Sequence, residues 1–590
     1  MTTDAGPRRE RVRRTGPATG AAPRSRRQVR PFRLRAVLFD FDGTLTAPGA
    51  LDFSALKREV GCPPDRYVLE WIEGLPAGAR RDAAAAALER FELAGASASR
   101  PNDGAEALVH RLRDQGLAVG VLTRNARAAV DHALTRFTDL AAGDFDVIVT
   151  RDDRLPPKPA PDGVVHAAGA MGVAPGEVLV VGDYLLDILA GRAAGAVTAF
   201  LTNGERAGPG ATSGAGPWPG DVDEHGCPDG AHCDFVVGTL SDLDAVARLG
   251  LPLPAGKLPN DVLAAFLGGV TATDPALLTP PAVGEDVAAL DVAAEEVLVA
   301  HGDPITLGGD DLARSAIIVN ANDIAASGAD PRWLLATVLL PPGTTAAQAL
   351  ALLDGLAAAA SAAGVTVAGG HTEVTAAVTA PVVSVTMLGT LPRAELRDKR
   401  DVRAGDRLVI TKELAAEGTA LLAAELADRL AALGMSETEL AACRGLLLRA
   451  SIVPEARVAR SVDGVRAMHD VTEGGLATAL RELAAATGHD VTVDLDRVPV
   501  GAETRRICEL LGADPLGLIA SGSLLVCCSP EATDRLLDAL RDAGVPAAAI
   551  GEWEEPGGEV RARAGGRPAP WPSFAADEVA RLLEEARPRG

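Results

Sequence analysis

Five short runs, at 34–39, 117–122, 147–149, 178–181 and 197–201, are apolar at nearly every position, and stretches with helical spacing separate them. A strand with one wet face alternates apolar and polar residues, whereas a strand that is apolar throughout has to be covered on both faces. The order strand, helix, strand therefore predicts a parallel sheet wrapped by helices, with ligands at the carboxyl ends of the strands. At 590 residues the chain exceeds the size at which one core keeps growing, so three or four domains are expected. A hydrophobic content of 47% with only 3% aromatics makes the interior mostly Ala, Val and Leu.

The first run ends in VLFDFDGTLT, where Asp40 and Asp42 stand one residue apart before Gly43. Side chains alternate along a strand, but at its turn both carboxylates can aim into one cleft. Their repulsion calls for a cation, and hard oxygen ligands suit Mg2+. Thr123 closes LAVGVLT, Lys158 lies in LPPKPAPDG, and Asp183 with Asp187 closes VLVVGDYLLD. A dianionic phosphate monoester resists a carboxylate nucleophile, so the cation and Lys158 have to neutralise its oxygens while Asp40 attacks in line. Asp42 can protonate the leaving alcohol and then deprotonate the attacking water, while Thr123 and nearby amides hold a phosphoryl oxygen.

These motifs, in this order over residues 34–245, resemble the haloacid dehalogenase superfamily of phosphatases. The resemblance implies Asp40 as nucleophile, Asp42 as acid and base, Thr123 and Lys158 as phosphate contacts, Asp183 as a magnesium ligand and Asp187 behind it. Asp40, Asp42, Asp183 and Asp187 are thus the expected metal cluster. An acid at position 42 favours phosphate transfer over dehalogenation, since a departing halide needs no proton. Residues of about 47–105 leave room for a small helical cap, the part that selects substrate in this family.

A turn-rich stretch, 204–233, reads as an exposed insertion, and the segment 246–256, which contains LGLPLPAG, as a linker. Beyond it, strands near 296–301, 335–340, 365–368 and 382–388 alternate with helices near 311–327 and 345–363. A further set has strands near 407–411, 465–468, 491–495 and 518–527. The expected units are 257–395 and 396–575, with a tail at 576–590. No G-x-x-x-x-G-K-[ST] loop is present and lysines number five, so nucleotide binding would rest on carboxylates and Mg2+. Suitable acids stand where apolar runs or glycine turns break: Asp286 in GEDVAALD, Asp303 in AHGDPIT, Asp323 after Asn322 in NANDIAASGA, Glu373 in GGHTEVT, and Asp470 and Glu473 in AMHDVTEGG.

The same stretches, with GKLP, LVITKE, EGTALLA and DPLGLIASGSLLV, resemble the superfamily of aminoimidazole ribonucleotide synthetase, selenophosphate synthetase, thiamine-monophosphate kinase and the hydrogenase-maturation dehydratase, nearest the last. The resemblance implies two α/β subdomains forming a homodimer, with ATP held through Mg2+ and used to activate an amide, acid or phosphate oxygen. Asp286, Asp303, Asp323 and Asp470 match its metal motifs. Asn322, His371, Glu373, Lys412 and Glu473 are expected at the nucleotide or substrate. The chain ends in EEARPRG, without the terminal cysteine of the dehydratase, so thiol chemistry does not carry over as such.

The fold class expected is α/β, a Rossmann-like parallel sheet with a cap followed by two synthetase-type subdomains. The function expected is a fusion of a phosphomonoester hydrolase with an ATP-dependent synthetase-like enzyme. An alternative is a phosphatase carried on a non-catalytic dimerising scaffold. Formal charge is −23, although residues 1–33 hold ten arginines against Asp4 and Glu10. That tail is too polar to order itself and is read as a solvated extension rather than a nucleic-acid arm. No apolar run reaches the roughly 18 residues of a membrane span. Seven scattered cysteines read as reduced, which with the absence of an export signal predicts a cytoplasmic protein. His225, Cys227, His232 and Cys233 form a possible zinc cluster of non-standard spacing.

Overall fold

The computed structural model describes residues 30–49, 53–204, 227, 232–254, 256–270, 273–282, 288–306 and 309–586. The five apolar runs form strands β1 (Ala36–Phe39), β2 (Ala118–Leu122), β3 (Val147–Val149), β4 (Val178–Gly182) and β5 (Val197–Leu201), joined by β6 (Phe235–Val237). All pair in parallel, in the order β3-β2-β1-β4-β5-β6. The chain moves outward from β1 through β2 to β3 and returns to β4 on the other side of β1. The crevice at the carboxyl end of β1 is therefore the switch point where this topology places ligands.

Two apolar layers cover the sheet, as strands buried on both sides demand. Helices Ala105–Asp114, Arg127–Leu134 and Leu243–Gly250 pack Leu108, Val130 and Val246 against Val37, Val119 and Val181. Helix Asp162–Ala170 packs Val164 and Ala167 against Leu38 and Val180 on the opposite face. Between β1 and β2, helices Phe53–Val60, Val68–Glu73 and Ala79–Ala98 enclose a small core of their own around Leu56, Ile72 and Leu88. The third of these helices is alanine-rich, which favours a long helix irrespective of packing.

A second sheet holds β7 (Gly256–Lys257), β8 (Glu296–Ile305), β9 (Asp330–Leu340), β10 (Thr366–Val374) and β11 (Val382–Pro392), in the order β7-β10-β9-β11-β8. Helices Leu312–Ala326 and Ala346–Ala362 cover one of its faces through Ile317, Ile324, Leu353 and Leu356. A third sheet holds β12 (Arg407–Thr411), β13 (Val465–Asp470), β14 (His489–Asp494), β15 (Leu524–Cys528), β16 (Ala547–Pro556), β17 (Val560–Ala564) and β18 (Arg567–Ala569). Their order is β13-β15-β12-β16-β14-β17-β18.

Several expectations are corrected. Residues 30–33 are not part of a free tail: Phe32 is buried in the first core and its carbonyl accepts a hydrogen bond from Thr345 Oγ1 at 2.8 Å. Residues 246–250 belong to a helix of the first core rather than to a linker. Residues 518–523 lie outside β15, which begins at Leu524. Helix Glu578–Ala586 occupies the expected terminal tail, because Val579 and Leu582 fall on one face and are buried. Among the cysteines, Cys227 and Cys233 are paired as a disulfide, against the expectation that all are reduced. Residue 225 lies outside the described residues, and Cys62, Cys443, Cys508, Cys527 and Cys528 are free and buried. Among the described residues no helix is long and apolar enough to cross a membrane.

Candidate functional sites

Asp40 is the first residue past β1, and its amide donates to Val181 O at 2.8 Å, which continues the β1–β4 ladder by one step. The chain then turns sharply through Gly43, whose φ is +74°. A Cβ on Gly43 would lie 2.1 Å from Asp183 Oδ2, so glycine alone lets the turn pass this close to the carboxylate. Thr123 follows β2 and Asp183 follows β4, so the flanking strands deliver their polar residues to the same edge.

Lys158 joins the group from a loop 118 residues beyond Asp40. Its Nζ donates to Asp40 Oδ1 at 2.5 Å, to Asp187 Oδ1 at 2.5 Å and to Leu122 O at 3.0 Å. Burial pulls the Lys158 ammonium down, but Asp187 and Asp40 more than reverse this and its pKa is raised. Oxygens of Asp40, Asp183 and Asp187 all lie within 4.8 Å of one another. One ammonium does not neutralise three carboxylates, and burial followed by Asp40 and Asp187 pushes Asp183 well above its ordinary range. An all-oxygen donor set with surplus negative charge fits a hard divalent ion.

Asp42 stands apart from that set. Its Oδ2 accepts from Asn125 Nδ2 at 2.6 Å, and burial, then the charge of Asp40, pushes its pKa up to about 7. A carboxyl so placed exchanges a proton near neutral pH. Thr123 is buried and its Oγ1 accepts from the amide of Asn125 at 3.2 Å. Asn125 was not read from the sequence; its signal is its place two residues past the strand-ending threonine. From the cap, Glu92 pairs with Arg151 and accepts from Ala126 N at 3.1 Å, clamping the cap to the loops around the crevice.

A second acidic cluster lies between the other two sheets. His301 and Asp303 project from β8 two residues apart, Asp323 from helix Leu312–Ala326, and Asp470 from the end of β13. His301 Nε2 lies 3.3 Å from Asp303 Oδ2 and 3.2 Å from Asp323 Oδ2. Asp323 Oδ2 and Asp470 Oδ2 are buried without a hydrogen-bond partner. Burial, then Asp470 and Asp303, raises the Asp323 pKa, as expected where carboxylates converge without a counter-ion. His301 is the residue sequence reasoning missed, although AHGD places it on the same strand face as Asp303.

The other expected residues divide. Asp286 lies outside the described residues. His371 Nε2 contacts Glu373 Oε2 at 3.2 Å on β10, and β9 and β11 separate that strand from β8. At about 4.8 Å per strand they stand roughly 14 Å from the cluster. Glu473 is exposed in the turn after β13. Asn322 is buried with both ends of its amide used: Nδ2 donates to Ala450 O and Oδ1 accepts from Ile452 N, each at 2.8 Å. Lys412 Nζ grips the same segment through Arg449 O at 2.9 Å and Ser451 O at 2.6 Å, and pairs with Glu455 at 2.5 Å. These two residues brace residues 449–452 rather than join the acidic cluster.

Comparison with known proteins follows the same division. The family model of the haloacid dehalogenase-like hydrolases matches residues 34–195. Those of AIR synthase related proteins match 273–391 (N-terminal domain) and 403–563 (C-terminal domain). Carbamoyl dehydratase HypE of Rhodobacter capsulatus is 32% identical over 295 residues, covering 49% of this chain and 83% of that protein. The uncharacterized hydrolase YOR131C of Saccharomyces cerevisiae is 33% identical over 171 residues, covering 29% of this chain and 78% of that protein. A crystal structure of Escherichia coli HypE is 27% identical, with a TM-score of 0.47 over 54% of this chain and 98% of that one.

Proposed function

Since this chain belongs to the haloacid dehalogenase-like hydrolases over its first part and to the HypE-like AIR synthase related proteins over its second, we propose that it is a bifunctional enzyme: a Mg2+-dependent phosphomonoester hydrolase fused to an ATP-dependent synthetase-like unit. The observation that carries the first activity is the contact of Lys158 with Asp40 and Asp187 beside Asp183, with Asp42 held apart on Asn125.

Asp40 and Asp183 would hold Mg2+, which when bound supplies positive charge to the phosphoryl oxygens. Lys158 contributes a second positive charge and keeps the Asp40 carboxylate oriented. The free oxygen of Asp40 attacks phosphorus in line; an O–P bond forms, the ester O–P bond breaks, and Asp42 gives its proton to the departing alcohol oxygen. Asp42, now ionised, takes a proton from water as that water attacks phosphorus, and Asp40 is released as carboxylate. The hydrogen bond from Asn125 fixes Asp42 in place, while burial and the charge of Asp40 keep a proton available to it. The substrate is a small phosphorylated molecule admitted beneath the cap.

In the second unit Asp303, Asp323 and Asp470 would gather a divalent cation that bears the triphosphate of ATP. The face of the second sheet opposite its helices is covered at Trp333 by Leu277 and Leu290 but leaves Leu298 46% and Leu335 36% exposed, which suits a second copy of the chain and thus a homodimer. The compartment proposed is the cytoplasm, where ATP and Mg2+ are both supplied. The test assays the full chain for hydrolysis of an aryl phosphate and for ATP consumption, in Asp40→Asn and Asp323→Asn variants. Each variant is expected to abolish one activity and spare the other. Loss of neither, or ATP-independent behaviour of the second unit under all conditions, would refute the reading.

A further inference from the structure

The first cluster offers a cation only oxygen, whereas the second adds an imidazole nitrogen. We infer that His301 makes the pocket of Asp303, Asp323 and Asp470 a mixed nitrogen and oxygen site that prefers a first-row transition divalent ion over Mg2+, a preference that Mn2+, the weakest of that series for nitrogen, reports as a paramagnetic probe. This rests on the proposal that the pocket holds a cation, and it changes which cation.

Three observations converge. First, the spacing is that of ligands sharing one ion. Bonds of about 2.1 Å give neighbouring ligand atoms separations of about 3.0 Å in octahedral and about 3.4 Å in tetrahedral geometry. The His301 Nε2 separations, 3.2 Å to Asp323 Oδ2 and 3.3 Å to Asp303 Oδ2, fall between these values. Second, neither contact has hydrogen-bond geometry. His301 Nε2, Asp323 Oδ2 and Asp470 Oδ2 are all buried and make no well-formed hydrogen bond, and the nitrogen meets its two carboxylates only at ion-pair distance. Asp470 is only 6% exposed, and leaving its oxygen unsatisfied costs free energy that a cation would recover. Third, the ring's position is fixed by its strand. His301 pairs with Met387 in the β8–β11 ladder, and Asn320 Oδ1 accepts from the Asp303 amide at 2.9 Å, so nitrogen and carboxylate are presented together.

Ligand chemistry then decides the ion. Mg2+ requires near-ideal octahedral oxygen coordination and gives up its waters reluctantly, whereas imidazole suits first-row transition ions, most strongly Zn2+, Fe2+, Ni2+ and Cu2+, with Mn2+ the weakest binder of the series. Nitrogen coordination by His301 therefore favours the transition ion, while Asp303, Asp323 and Asp470 supply the charge that any divalent ion needs.

The test uses the full chain carrying Asp183→Asn, which weakens the first cluster, and titrates Mn2+ by electron paramagnetic resonance with excess Mg2+ present, with and without ATP. Binding at the first cluster is subtracted with the Asp183→Asn/Asp323→Asn double variant. Bound Mn2+ is expected to show nitrogen coupling from one imidazole. His301→Gln, and independently His301→Thr, should abolish that coupling and lower the Mn2+ preference over Mg2+ by about tenfold or more. Circular dichroism checks that both variants fold. Mn2+ bound without nitrogen coupling, or an unchanged preference in both variants, overturns the inference and leaves the cation site standing. Tighter metal binding by the variants overturns it too, since it would mean that a protonated His301 had been standing in for the cation. No ion bound under any condition would sink both the inference and the ATP-site reading.

Discussion

Lys158 Nζ lies 2.5 Å from Asp40 Oδ1, a contact across 118 residues of sequence that brings a loop cation to the end of the central strand. The same ammonium touches Asp187 at 2.5 Å, so a single side chain balances two carboxylates, Asp187 buried and Asp40 partly so. Lys158→Met leaves both without it. Removing one partner of a buried ion pair costs about 3–5 kcal/mol, and the variant is expected to lose stability of that order in denaturant unfolding. Mg2+ should then raise the melting temperature of the variant more than that of the wild type, and an equal response would show that the carboxylates do not face a common cation.

Gly43→Ala tests the closeness of the turn to Asp183. The position has φ of +74°, and the added methyl would meet Asp183 Oδ2 at 2.1 Å. Displacing that carboxylate by an ångström is expected to lower kcat/KM for a phosphomonoester about a hundredfold. A variant with wild-type turnover would show that Asp183 has no positioning role.

Asn322→Ala removes both tethers to residues 450 and 452 and leaves a buried carbonyl and a buried amide unpaired. A loss of about 2 kcal/mol or more is expected by chemical denaturation. If Asn322 instead contacts nucleotide directly, the variant keeps its stability and loses ATP affinity alone.

Glu417 lies in the first turn of helix Ala416–Glu425, is 4% exposed, and its Oε2 lacks a hydrogen-bond partner. Burial raises its pKa. A carboxyl with a raised folded pKa stabilises the fold below its unfolded pKa and loses that contribution as pH rises through the folded value. Glu417→Gln carries no charge, so its melting temperature relative to wild type should rise as pH is raised above the ordinary carboxyl range. A difference that shrinks as pH rises would contradict the assignment.

Much of the first site was legible because its signals are local. Each acid or hydroxyl terminates an apolar strand, and a parallel sheet brings such ends to one edge whatever the loops do. The contacts that finish the site are long-range and left no such mark. Asn125 reaches Asp42 across 83 residues, and Lys158 finds Asp187 only once the loop is folded. In the second unit the acids at 303, 323 and 470 were read from glycine-flanked breaks. Asn322 and Lys412 carry equally polar labels, yet they hold backbone at 449–452, a role no spacing in the sequence encodes. His301 lies inside an apolar strand, where no break in the pattern marks it, two residues before the acid that the glycine turn singles out. Helix Glu578–Ala586 was missed because its apolar face is short and set among charges.

The chemistry of the first site turns on the carboxylate at the end of β1. The full chain is incubated with Mg2+ and a phosphomonoester, quenched in acid, and reduced with borohydride, which converts an acyl phosphate to an alcohol, before peptide mass spectrometry. The modification is expected on Asp40, to accumulate in Asp42→Asn, and to vanish in Asp40→Asn together with turnover. Continued turnover with Asp40 never modified, or undiminished hydrolysis by Asp40→Asn, would contradict the account.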